Sequence, residues 1–178
     1  VKIECADKDF QKQCNPRTGY CVSGYRFLPV QLIDVAGLVP GAHEGLGMGN
    51  QFLDDLRQAD GLVHVIDVAG STNEKGEAVA IGSYDPAADV RFLEVELDMW
   101  YLGILKKGWE KFARSVVQEK TAIHMALAKQ LSGLGVNEMM VEEAVSKLGI
   151  DPLKPQLWSE DDLMKLAQWF RIQTKPMI

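Results

Sequence analysis

Basic residues are scarce relative to acidic ones: 19 Lys and Arg stand against 25 Asp and Glu, a formal net charge of -6 over 178 residues. That balance excludes the whole-surface basic footprint of a DNA-binding or anionic-membrane-binding protein and confines any RNA contact to a local patch. Long apolar runs are missing as well, and none approaches the roughly 20 residues that a membrane-spanning helix needs. The opening Val1-Lys2-Ile3-Glu4-Cys5-Ala6-Asp7-Lys8 does not form a signal peptide, so the expected location is the cytoplasm. There is no internal repeat and no low-complexity tract. Cysteine is nearly absent: Cys5, Cys14 and Cys21 all fall in the first 21 residues, an odd number that argues against a secreted disulfide framework. Their spacing fits no Cys-x-x-Cys pair. Reduced thiols are the default, and zinc would need a fourth ligand from elsewhere, so the sequence leaves their role open.

What is present is globular in composition, 47% hydrophobic and 25% charged, enough for one good core or two small ones. Residues 1–24 carry turn formers without a clear period and read as a loop or irregular hairpin. Phe27 to Val35 is rich in Val, Leu and Ile and predicts a buried strand, with Pro29 pointing to an edge position. A glycine-dense loop follows (Gly41, Gly45, Gly47, Gly49), and Asn50 can cap a helix over about 51–58 that turns Phe52, Leu53 and Leu56 inward. Leu62 to Val68 predicts a second buried strand. Strand, helix, strand in this order implies a parallel sheet with a right-handed crossover.

Residues 69–87 are polar and glycine-bearing, as a long loop at a domain boundary would be. Beyond them the period becomes helical. Val90, Leu93, Leu97, Trp100 and Ile104 form one stripe; Trp109, Phe112, Val116, Ile123, Leu127 and Leu131 form a second. A third helix is expected from Asn137 to Leu148 with Gly149 as its stop, and a fourth opens at a capping Ser159 and runs to about Ile172. Trp100, Trp109, Met125, Met139 and Met140 lie on these stripes and read as core rather than as a cofactor box.

Chemistry concentrates in Val30-Gln31-Leu32-Ile33-Asp34-Val35-Ala36-Gly37, an apolar strand that delivers an Asp at its carboxyl end and a Gly three residues later. Ligands of open parallel sheets bind at those ends. A carboxylate fixed there can hold magnesium through water, and a glycine amide in the next turn can approach a terminal phosphate because no side chain blocks it. Asp-x-x-Gly alone is weak. The residues after it add weight: Leu38-Val39-Pro40-Gly41-Ala42-His43-Glu44-Gly45 and Gly47-Met48-Gly49-Asn50-Gln51-Phe52-Leu53 resemble the switch II region of the Obg and YchF GTPases. The likeness continues through Arg57-Gln58-Ala59-Asp60 and Val63-His64-Val65-Ile66-Asp67. It extends to the Asn15-Pro16-Arg17 turn and the final Lys175-Pro176-Met177-Ile178, and is similar above all to the YchF-like branch typical of archaea.

The resemblance implies that Asp34 holds a magnesium-bound water and that Ala36 and Gly37 line the nucleotide, with the Gly37 amide on the γ-phosphate. It places Leu38 where many GTPases have the Gln that orients the attacking water, which implies slow intrinsic hydrolysis. His43 is a weak catalytic substitute, with an exposed loop role as the alternative; His64 reads as a satisfied core histidine; Asp67 either supports the nucleotide site or caps the next turn. The glycines at 45, 47 and 49 follow a loop rather than a strand, which excludes a dinucleotide fingerprint.

Neither Gly-x-x-x-x-Gly-Lys-Ser/Thr nor Asn-Lys-x-Asp occurs in the sequence. The chain therefore reads as an internal piece of a G domain that binds nucleotide poorly by itself. The expectation is an α/β fold, part of a P-loop NTPase parallel sheet over 1–82 and 173–178, with an all-α helical insert over 83–172. By resemblance the whole protein hydrolyses GTP with Mg2+ and works at the ribosome through regions outside this chain. Two alternatives remain open: a helical interaction module on an α/β scaffold, and a relative that prefers ATP.

Overall fold

The computed structural model describes residues 1–5, 9, 14–35 and 55–178, which fall into two compact units, Val1–Asp34 and Val35–Ile178. In the first, β1 (Lys2–Glu4), β2 (Tyr20–Val22) and β3 (Tyr25–Phe27) form an antiparallel sheet in the order β1-β3-β2. The β2–β3 turn is Ser23-Gly24, both at positive φ (52° and 77°), the two-residue geometry whose twist matches that of antiparallel strands. Tyr20 stacks on Phe27 across the pair at 4.9 Å, and the Lys2 ammonium lies 3.9 Å from the centre of the Tyr25 ring. The segment expected to be an irregular hairpin thus contains regular strands.

The expected strand over Phe27–Val35 is not formed as such. Only its first residue belongs to β3, the pairing is antiparallel, and Val30, Leu32 and Ile33 are exposed, Leu32 to 82%. Leu62–Val68 likewise forms no regular strand, and Val65 is 88% exposed. Its start does pair in parallel: Leu62 bridges Met177, the Leu62 amide donates to Pro176 O and the Ile178 amide to Leu62 O. The His64 amide donates to Ile178 O at 2.9 Å. Apolar, β-branched sequence states what a neighbour could bury, but a strand exists only where backbone partners complete its ladder. In this chain those partners are met at residues 176–178.

The helical part follows its sequence closely. Residues 55–58 are helical, with Leu56 buried; the expected cap Asn50 and the inward Phe52 and Leu53 lie outside the described residues. α1 (Pro86–Lys106) opens with Pro at its first position, and the Asp85 carboxylate accepts from the Ala87 amide. The second expected stripe is divided between α2 (Trp109–Gln118) and α3 (Ile123–Gln130), because the chain turns at Lys120 with φ 53°. α4 (Glu138–Leu148) starts where Asn137 caps the Met140 amide and ends at a left-handed Gly149; α5 (Glu160–Thr174) starts in a capping box of Ser159 and Asp162.

α1 packs along α5, and α4 bridges α3 and α5. Leu97, Tyr101 and Leu105 meet Leu166 and Phe170 in a core extended by Leu127 and Val141. Trp109 and Trp158 stack at 5.4 Å, and the Trp158 indole donates to Asp151 O. Trp100 and Trp109 are buried as expected, and Met140 is partly buried. Met125 and Met139 are not core: both are exposed, Met139 to 72%, because they fall on the outer faces of α3 and α4.

Candidate functional site

Asp34 closes the first unit. It is exposed and joins no hydrogen bond or ion pair among the described residues, so its carboxylate is available as a hard oxygen donor. The next residue, Val35, packs on the core of the second unit. Ala36, Gly37, Leu38 and His43 lie outside the described residues, so the structure neither assembles nor separates the nucleotide-binding set expected from the sequence.

Downstream, Asp67 caps the turn that follows it, one of the two roles expected of it. Its carboxylate accepts from the Ser71 hydroxyl at 2.7 Å, the Thr72 hydroxyl at 2.9 Å, the Ser71 amide at 2.8 Å and the Ala69 amide at 3.0 Å. Donation by Ser71 and Thr72 stabilises the charged form and pulls its pKa down to about 2. The turn is then closed on itself, with Asn73 accepting from the Lys75 and Glu77 amides and Thr72 bridging Ala78. Gly70 is required within it: at φ 57° a Cβ there would lie 2.3 Å from Tyr84 O. The stretch read as a long loop carries neither helix nor strand over 69–85, and its 67–78 part satisfies its own polar groups.

His64 differs from its expected role. It is half-buried, and its Nδ1 is a buried atom with no hydrogen-bond partner, so it is not a satisfied core histidine.

Sequence reasoning missed Lys175. This buried ammonium donates to Arg57 O at 3.4 Å and more closely to Ala59 O. These carbonyls end the helical turn at 55–58, where the helix dipole is negative. Burial pulls the Lys175 pKa down, while Asp60 acts the other way. Lys175 also follows α5 and precedes the 176–178 pairing with Leu62, so one side chain ties the helical turn at 55–58 to the end of the helical bundle. The signal for it lay in the Lys-Pro pair after a helix, which sequence reading used only as a family likeness.

This mixed α/β architecture, a small sheet and a helical bundle, is part of a G-domain fold. It matches a crystal structure of a GTP-binding protein from Pyrococcus horikoshii OT3 with a TM-score of 0.80 at 38% identity, covering 99% of this chain and 46% of that one. Residues 9–93 match the family described as 50S ribosome-binding GTPase. A GTP-binding protein of Methanocaldococcus jannaschii is 49% identical over 178 residues, all of this chain and 44% of that protein. The ribosome-binding ATPase YchF of Buchnera aphidicola is 27% identical over 141 residues, 72% of this chain and 38% of that protein, and GTPases named Obg match at comparable levels. The chain is thus similar to GTP-binding proteins, and more distantly to those of the Obg/YchF class. It spans less than half the length of the relatives it matches first.

Proposed function

We propose that this chain is the switch II-bearing part of a protein that binds and hydrolyses GTP with Mg2+. The observation that carries the reading is the exposed, uncommitted Asp34 at the head of Asp-x-x-Gly, inside the segment matched to the GTPase family. An exposed carboxylate fits magnesium, a hard cation that keeps several waters and is bound through one or two carboxylates plus substrate phosphates. Asp34 would hold such a water, and the ion when bound would neutralise charge on the β/γ-phosphates. Gly37 would offer its amide to the γ-phosphate, with Ala36 alongside. Leu38 cannot orient a water, which leaves intrinsic hydrolysis slow; His43 is the weak candidate to assist. Residues 83–172 would be an insert in the G domain, a reading supported by the parallel pairing of Leu62–His64 with residues 176–178, which brackets the helices.

The 50S ribosome-binding description of the matched family and the YchF relative's name support the large ribosomal subunit as partner, reached through parts of the protein outside this chain, and a cytoplasmic location. The same relative is called an ATPase, which favours ATP as the second reading of the nucleotide. The test is titration of fluorescent GTP and ATP analogues, with magnesium, into this chain and into a form extended at both ends. Binding by the extended form alone supports the reading, and the preferred analogue decides the base. No binding of either nucleotide by the extended form contradicts it.

A further inference from the structure

Cys5, Cys14 and Cys21 are scattered in sequence but converge in the first unit, with their three Sγ atoms all within 4.8 Å of one another. The sheet register explains how. Cys5 follows β1, and its amide donates to Gly24 O, so it lies level with the β2–β3 turn. Cys21 pairs with Arg26, and the alternation of a strand puts Cys5, Cys21 and Arg26 on the same face of the sheet. Between them on that face stands Gly24, which has no side chain, so the thiols from the two outer strands can meet over the turn. Cys14 enters from the irregular segment before β2. No disulfide joins any of the three.

We propose that these three cysteines are the protein ligands of a structural zinc site. A tetrahedral thiolate shell with bonds of about 2.3 Å sets neighbouring sulfurs roughly 3.8 Å apart, within a small contraction of the spacing here. Cys5 is buried and Cys14 and Cys21 are half-buried, which leaves the fourth position to water or another donor from the solvent side. Three thiolates around Zn2+ carry a net negative charge. Arg26, on the same face as Cys21, has a buried Nε with no hydrogen-bond partner, a cationic N–H donor suited to a metal-bound thiolate.

The unit itself calls for such a staple. Among its described residues Cys5 is the only buried hydrophobic one, and a unit of this size rarely holds together without a disulfide, a metal or a partner. Binding would convert thiols to thiolates with release of their protons to solvent, and the folding energy of the small sheet would come largely from the metal.

The site is tested on the full chain, purified under reducing conditions and loaded with Zn2+ or Co2+. About one metal per chain is expected, with cobalt giving intense sulfur-to-metal charge-transfer bands and the d–d bands of a four-coordinate site. Cys5→Ser, Cys14→Ser and Cys21→Ser should each weaken binding at least tenfold, whereas Met139→Ala should leave it unchanged. In the unmodified chain, chelation should speed the reaction of all three thiols with Ellman's reagent and speed exchange of the Cys5 and Leu28 amides by roughly tenfold or more. No bound metal and no cobalt–thiolate bands, thiols whose reactivity ignores zinc, or an intact mass showing a disulfide between two of the three would each overturn the proposal.

Discussion

Arg171 on α5 donates from Nε to the Asp98 carboxylate on α1 at 2.8 Å, and both residues are buried. Glu94, one turn before Asp98, approaches the same guanidinium at 3.8 Å. A charge pair between the two longest helices contributes less net stability than apolar packing of the same volume, but removing one member strands the other. Asp98→Ala should therefore cost about 3 kcal/mol, the lower end of such losses because Glu94 remains near. The double replacement Asp98→Leu with Arg171→Met should recover most of it. Urea denaturation of the two variants checks this; equal losses in the single and double variants would show that the pair is not an isolated interaction.

The turn after Leu62–Val68 offers a comparison between two glycines. Gly70 and Gly76 both have positive φ, but a Cβ at Gly70 meets the Tyr84 carbonyl whereas one at Gly76 meets nothing within 4 Å. Gly76→Ala should cost about 1 kcal/mol of backbone strain alone. Gly70→Ala should cost about 2 to 3 kcal/mol, because the backbone or Tyr84 must also shift. Thermal denaturation of the two variants measures the difference.

Helices were legible because their determinants are local: Asn137, Gly149 and Ser159 act at the ends assigned to them, and the core stripe through Leu97 and Trp100 is buried as spaced. The break at Lys120 was missed because apolar spacing continues across it. Strands were less legible, since Val30, Leu32 and Val65 have the composition of buried strands but their burial depends on neighbours that composition cannot supply. Lys175 was invisible as a site because its partners, the Arg57 and Ala59 carbonyls, are more than a hundred residues away in sequence. Of the nucleotide residues, the Asp34 position is described, and the sequence pattern remains the source for Ala36 and Gly37.

Asp67 gives the turn a pH dependence of known sign. Its folded pKa of about 2 lies below the unfolded value, so the charged carboxylate stabilises the turn fully above about pH 4 and the contribution is lost as pH falls through about 2. In NMR spectra the Ser71 and Ala69 amides should report that low titration midpoint. Asp67→Ala should remove it and speed exchange of both amides at neutral pH. A midpoint near the ordinary Asp value would mean that the four hydrogen bonds do not persist in solution.

The capping box at α5 predicts a local loss. The Ser159 hydroxyl accepts from the Asp162 amide, the Ser159 amide donates to the Asp162 carboxylate, and Asp162 is held below the usual carboxylate range chiefly by that backbone hydrogen bond. Ser159→Ala should cost about 1 kcal/mol. Hydrogen exchange should place the loss in the first turn of α5, leaving α4 unaffected.

The most direct test of the nucleotide reading is the magnesium dependence of GTP-analogue affinity, compared between the extended protein and its Asp34→Asn variant. If Asp34 holds the magnesium-bound water, magnesium should tighten binding by the unmodified protein. The variant should lose about tenfold in affinity with magnesium, roughly 1.4 kcal/mol, and little without it. Equal affinity and equal magnesium dependence in the two proteins would contradict the role given to Asp34, and with it the assignment of Asp34 to Gly37 as the nucleotide switch.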